Sequence, residues 1–277
     1  MIWDRELERR MEDGTMNPFA DLDQGQAITG ESKQAAKVDE TEQMKQRTVG
    51  WYLARWDKFT GSRIPDLMKQ GRGKNELWGE NAKNIILELA AFHTMTKEGR
   101  EMYAIEQMYK EFRQTKWGNT YEPEARDLYA KKTGFDVRET GFMTHPNYDY
   151  IGGSFDGEVY SSGSGNPYAD GIIEIKCPYD PLKHLKNMNL SRTGIDAKHE
   201  YYGQIQNNIE VAGVDWCDFV SYDPRQDDAH KIVIIRVDRD QIYIDAMMER
   251  IHKAEHILNM YLAGKSLEES ITEIEVL

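Results

Sequence analysis

Residues Gly171–Pro178 read GIIEIKCP, and the interpretation of the whole chain starts from this octapeptide. Side chains on a strand alternate faces, so Ile173 and Ile175 point one way while Glu174 and Lys176 point the other, about 7 Å apart. An acid and an amine therefore share one face. Just upstream lies GSFDG, Gly153–Gly157, in a strand segment followed by a turn-rich connection, where a hairpin partner belongs. A hairpin places Asp156 beside Glu174. Two carboxylates converging on one point repel unless a cation sits between them, and oxygen ligands favour Mg²⁺, with Mn²⁺ as its substitute. Lys176 beside such a site can orient or help deprotonate a bound water for attack on a phosphodiester. An Asp, a Glu and a Lys near strands also make ordinary solvated sheet faces, so the D…ExK spacing leaves both readings open.

Outward from this strand the texture is regular. Asp136–Thr140, Tyr150–Tyr160, Gly171–Cys177, Trp216–Tyr222 and Lys231–Val237 are short, β-branched and aromatic-rich, separated by Gly, Pro, Asn or Asp, and read as about five strands. A helix near 196–212 interrupts them, and a long one over about 238–263 closes the fold. Its apolar residues, Ile244, Met247, Met248, Ile251, Ala254, Ile257, Leu258 and Tyr261, suit core packing. The N-terminal half is mostly helical: Asn75–Lys97 and Tyr121–Thr133 repeat at helical spacing, and Ser62 followed by Pro65 and Asp66 reads as a helix start with Ser62 as N-cap. SSGSGNP at Ser161–Pro167 reads as a flexible hairpin tip. The expected class is α/β, a mixed central β-sheet flanked by helices.

The chain has 277 residues and a net charge of −13, which argues against indiscriminate coating of nucleic acid or anionic membrane. The charge is unevenly placed. Residues 1–46 carry −5 and residues 266–277 carry −4, leaving −4 for 47–265, and Trp51–Asn75 is net +4. We therefore expect a mobile acidic arm over 1–46, one folded domain over 47–265 and an acidic tail over 266–277. No apolar run approaches the roughly 20 residues of a membrane helix, and the start has no signal-peptide pattern. Cys177 and Cys217 make neither a disulfide framework nor a zinc motif, in keeping with buried thiols in a reducing cytoplasm.

The strings RWDKFTGS (Arg55–Ser62), WGNTYEPEAR (Trp117–Arg126), GSFDG, IEIKCP and YYGQIQ (Tyr201–Gln206) occur in an order that resembles the lambda-exonuclease and YqaJ-type viral recombinase family of the PD-(D/E)xK nuclease superfamily. The resemblance runs from about Trp51 to Arg225. It implies a restriction-endonuclease-like core and a Mg²⁺-dependent 5′→3′ exonuclease on linear double-stranded DNA, leaving 3′ single-stranded tails for recombination. It implies that Asp156 and Glu174 are metal carboxylates, with the Ile175 carbonyl as a further ligand and Lys176 as the catalytic lysine. Glu122 matches the family's helix-borne glutamate, which favours a second ion, although Glu122 and Arg126 at i, i+4 could equally form a surface pair. Gln204 matches the glutamine that hydrogen-bonds near the lysine or a phosphate, with Tyr201 and Asn208 on its helix face. Arg55 and Ser62, within the segment that includes Thr60, match residues that bind the 5′-terminal phosphate. Lys58, Arg63, Lys183, Lys186 and Arg192 are candidate DNA-backbone contacts. The resemblance also implies a single-strand annealing protein as partner, a homo-oligomeric ring and a cytoplasmic setting in a bacterial or phage-infected cell, with no membrane.

Two departures stand out. Phe155 replaces the proline of the superfamily's name, and the gap from Asp156 to Glu174 is widened by SSGSGNPYAD, so that Asp156 or Asp170 could be the ligand. Asp156 is preferred, because Asp170 lies so close to the next strand that it naturally ends the turn. Other readings are a same-fold endonuclease or resolvase, a catalytically silent DNA-end-binding scaffold, and a metal-binding protein unrelated to nucleic acid.

Overall fold

The computed structural model describes residues 46–73, 76–110, 113–163 and 167–276. The arm expected over 1–46 lies outside them except for Gln46, as does part of the tip expected at Ser161–Pro167. Helix α1 spans Val49–Trp56, and strand β1 (Phe59–Thr60) runs into a 3₁₀ turn, Gly61–Arg63, and the single-turn α2, Ile64–Leu67. Then come α3 (Glu80–Thr94), α4 (Lys97–Tyr109) and α5 (Arg113–Thr133). Strands β2 (Asp136–Arg138), β3 (Met143–Thr144), β4 (Ile151–Gly153), β5 (Gly157–Tyr160) and β6 (Gly171–Lys176) follow. The chain continues through α6 (Pro181–Asn189), α7 (Tyr202–Ala212), β7 (Trp216–Tyr222), β8 (Ile232–Asp238), α8 (Gln241–Leu262) and α9 (Leu267–Val276).

The central sheet has the order β2-β5-β6-β7-β8, with β6 and β7 parallel and the other pairs antiparallel. This is the expected mixed sheet flanked by helices. Its two faces build two cores. Ile173, Ile175, Val220 and Tyr222 pack with Ala125 and Tyr129 of α5, while Ile172, Cys217 and Phe219 pack with Ile205 and Ile209 of α7 and with α8. Ile244, Met247, Ile251, Ala254, Ile257 and Leu258 of α8 are buried within the chain.

Three expectations change. The run expected as one strand over 150–160 is broken: β4 joins β1 and β3 in a separate sheet, and β5 joins the central one. The break falls at Ser154-Phe155-Asp156, where the fully buried Phe155 ring anchors the crossing. Ser62 is not a helix N-cap. It lies inside the 3₁₀ turn, the α2 N-cap position is Arg63, and α2 has only 4 residues, too short for a helix dipole to hold an anion. The acidic segment after 266 is helical, because Ile271 and Ile274 at i, i+3 are buried while Glu268, Glu269, Glu273 and Glu275 face solvent.

Helix α5 is fastened to the sheet through Asp218, which is 3% exposed. Asp218 accepts from Tyr129 Oη at 2.7 Å and from Arg236 Nε and Nη2 at 2.5 and 2.9 Å. Tyr129→Phe removes one neutral donor and is expected to cost about 1 kcal/mol. Arg236→Ala strands the carboxylate and should cost about 2 kcal/mol, less than a fully buried pair because the guanidinium is partly solvated. Urea midpoints of the two variants check the order.

Candidate active site

Where β5 leaves the central sheet, Gly157 pairs with Ile173, and the preceding Asp156 amide donates to Ile173 O at 3.0 Å. Asp156 Oδ2 accepts from Ile175 N at 2.6 Å, and Arg126 Nε donates to Asp156 O at 2.9 Å. Three contacts thus aim one half-buried carboxylate at the end of β6. The Ile175 carbonyl leaves the strand on the same edge as its amide. On the other face, Glu174 is 2% exposed, and both its oxygens are engaged. Oε1 accepts from Lys176 Nζ at 2.5 Å and Gln204 Nε2 at 2.6 Å, and Oε2 from Asn208 Nδ2 at 3.0 Å. Tyr201, at the start of α7, stacks on Phe219 and lies under Lys176 Nζ, 4.8 Å from its ring centre, and Lys183 Nζ, at 5.1 Å.

The electrostatics follow from this crowding. Burial and the Glu174 charge push the Asp156 carboxyl up to about 6. Burial works against the Lys176 ammonium, but Glu174 and Asp156 outweigh it and leave it raised, so Lys176 stays charged. Burial, then the Asp156 charge, raise the Glu122 carboxyl. Glu122 accepts from Arg126 Nη2 at 2.7 Å and Arg47 Nη2 at 2.5 Å. The i, i+4 pair with Arg126 therefore exists, yet it is buried rather than on the surface. Burial pushes the Cys177 thiol up to about 12, while Cys217 is fully buried.

Asp156, Glu174, Lys176, Glu122, Gln204 and Tyr201 line a cavity of about 800 Å³ that also holds Arg55, Thr60 and Ser62. Arg55 Nη2 donates to Ser62 Oγ at 3.1 Å, Thr60 Oγ1 lies 3.4 Å from Ser62 Oγ, and the Arg55 guanidinium sits 4.1 Å above the Trp51 ring. Burial, with the neighbouring Arg63 charge, lowers Arg55 to about 10, and among the described residues no carboxylate forms an ion pair with it. A part-buried guanidinium that is in no direct ion pair is a seat for an anion. Lys183 also lines the cavity. Lys58, Lys186 and Arg192 do not: Lys58 pairs with Asp57, and Arg63 opens on an adjacent cleft with Trp51, Tyr52 and Trp56. Asp170 accepts from Ser161 N at 2.6 Å and donates its amide to Val159 O, which ends the hairpin turn. Arg47 had no motif to announce it, because its partner Glu122 is 75 residues away.

Among the described residues, no group of three His, Cys, Asp or Glu side chains could hold a metal ion. A buried and a half-buried carboxylate that repel each other, with a carbonyl on the edge of β6, nonetheless suit one hard divalent cation. Glu122 would have to leave its two arginines to join them.

A mixed sheet with an Asp at one strand end and Glu-x-Lys on the next is the restriction-endonuclease-like core of the PD-(D/E)xK class. Within that class, residues 50–215 match the YqaJ-like viral recombinase domain, and the chain belongs to that family. The structure is similar to LHK-Exo, an alkaline exonuclease from Laribacter hongkongensis, with TM-score 0.60 and 28% identity over 77% of this chain and 93% of that one. A phage-related exonuclease from Haemophilus somnus shares the fold at TM-score 0.54 and 16% identity, covering 76% of this chain and 96% of that one. An uncharacterized protein, R354 of Acanthamoeba polyphaga mimivirus, is 23% identical over 181 residues, 64% of this chain. The match spans 29% of that protein's length.

Proposed function

We propose that the chain is a Mg²⁺-dependent 5′→3′ exonuclease that digests linear double-stranded DNA and leaves 3′ single-stranded tails for phage-type recombination. One observation carries this reading: the cavity that holds Asp156, Glu174 and Lys176 also holds Ser62 and the Arg55 guanidinium, with which no carboxylate among the described residues forms an ion pair. Its similarity to an alkaline exonuclease supports the same chemistry. Asp156, Glu174 and the Ile175 carbonyl are the groups that would hold the ion, which would polarise the scissile phosphate and acidify the attacking water.

The chain's own residues do the rest. Lys176, held as an ammonium by Glu174 and Asp156, donates to the phosphate or orients water. Gln204 fixes Glu174 against Lys176, and Tyr201 supports both lysines above its ring. Arg55, Ser62 and Thr60 seat the 5′ phosphate, so that an end is favoured over an internal bond. The groups at the sheet edge account for one ion, and a second requires Glu122 to exchange its arginines for it. Mn²⁺ should substitute for Mg²⁺. We place the enzyme in the cytoplasm of a bacterial or phage-infected cell, with a single-strand annealing protein as partner and a homo-oligomeric ring as its working state.

The test compares linear 5′-phosphorylated duplex, the same duplex with 5′-hydroxyl ends, and closed circles in Mg²⁺. Phosphorylated ends should be digested fastest and circles not at all. Arg55→Ala with Ser62→Ala should cut the phosphate preference on the order of tenfold, the worth of a charged hydrogen bond. Cleavage of circles would instead indicate an endonuclease, and end binding without digestion a silent scaffold.

A further inference from the structure

We propose that Asn208 is a positioning residue that couples the 5′-phosphate seat to Glu174, a role that rests on the exonuclease reading above. Asn208 is 1% exposed, and its Nδ2 donates to Glu174 Oε2 at 3.0 Å and to Ser154 O at 3.3 Å. An ionised carboxylate only accepts, so the amide is held with Oδ1 turned away from Glu174. Oδ1 is buried with no hydrogen-bond partner among the described residues. It faces the bare positions of two glycines instead. A Cβ on Gly61 would stand 2.9 Å from Oδ1, and one on Gly153 2.7 Å, so both positions must stay bare for Asn208 to fit.

Gly61 opens the turn that carries Ser62, and Gly153 ends β4, three residues before Asp156. Gln204, the other α7 donor to Glu174, presses the same turn: its Cγ and its carbonyl oxygen each lie 3.2 Å from the Gly61 Cβ position. Two of the three side-chain donors to Glu174 thus occupy the space beside Ser62 that a side chain at Gly61 would need. With so little slack, displacement of the turn is passed to Asn208 and Gln204, and from them to the Glu174 carboxylate. A phosphate seated at Arg55 and Ser62 fixes that turn and with it the orientation of Glu174. An end is therefore sensed in turnover as well as in binding.

The experiment measures kcat and KM separately on 5′-phosphorylated and 5′-hydroxyl duplexes of one sequence, for the full-length wild type, Asn208→Ala and Gly61→Ala. In the wild type the kcat ratio, phosphorylated over hydroxyl, should lie well above one. It should fall about fivefold or more in both variants, the range of a modest coupling between sites. The preference for a 5′ phosphate in binding, read by fluorescence anisotropy in EDTA, should persist, because Arg55 and Ser62 are intact. Gly61→Ala keeps every group that touches Glu174 and disturbs only their support, so it decides the question even where Asn208→Ala does not fold. Equal losses on both ends, with the ratio unchanged, would reduce Asn208 to packing and overturn the coupling. A wild-type kcat ratio of one would do the same. A wild type that digests neither end sinks the exonuclease reading itself, and the coupling with it.

Discussion

Glu174→Gln is expected to lower Mg²⁺-dependent digestion of end-labelled linear duplex by about 10²–10³-fold while leaving the protein folded. The magnitude is that of deleting one preorganised electrostatic group from an active site. Glu174 faces three donors, Lys176, Gln204 and Asn208, and a glutamine oxygen can satisfy only one side of that arrangement. The lost contacts are offset in part by removal of a charge that repels Asp156, so thermal unfolding should move little. Lys176→Met should be as inactive and clearly less stable, because it leaves Glu174 and Asp156 without their shared cation. The pair of variants therefore separates chemistry from folding. Digestion that survives both substitutions would remove Glu174 and Lys176 from the site.

The strand that carries these residues was legible because its chemistry is local. In IEIKCP the period of two places two isoleucines in one core and an acid and an amine on the other face, and the structure keeps that division. The partnership of Asp156 with β6 was legible for a similar reason, since a hairpin connects neighbours in sequence. The break at Phe155 was not. An apolar ring inside a strand-like run gives no local sign that it will cross between sheets, and only the fully buried pocket it fills settles the path. Ser62 misled because Ser-x-x-Pro carries the same signal for a helix start and a 3₁₀ turn, and the decision rests on how β1 feeds the turn. Helix α9 was hidden by composition: four glutamates dominate a segment whose folding depends on two isoleucines. Arg47 and the wedge of Asn208 against Gly61 join positions 75 and 147 residues apart, beyond the reach of any periodicity.

Asp156→Asn should abolish digestion, by about 10²-fold or more, and at the same time stabilise the ion-free protein. The substitution keeps one oxygen to accept from Ile175 N, puts an NH2 in place of the other and removes the charge. In the native state, burial and the Glu174 charge lift the Asp156 carboxyl from 3.8 to about 6. Between those values the folded protein binds a proton more tightly than the unfolded chain does, so stability falls as pH rises through this window. The penalty is complete above about pH 7, where a shift of this size corresponds to about 2–3 kcal/mol, and absent below about pH 4. In EDTA the variant should therefore out-melt the wild type at pH 8 and match it near pH 4, with urea midpoints at the two pH values as the measurement. A variant less stable than the wild type at pH 8 would mean that the two carboxylates are not in conflict, and with that the physical case for a cation between them would go. The expected result is a residue kept at a cost to the fold because the reaction requires its charge.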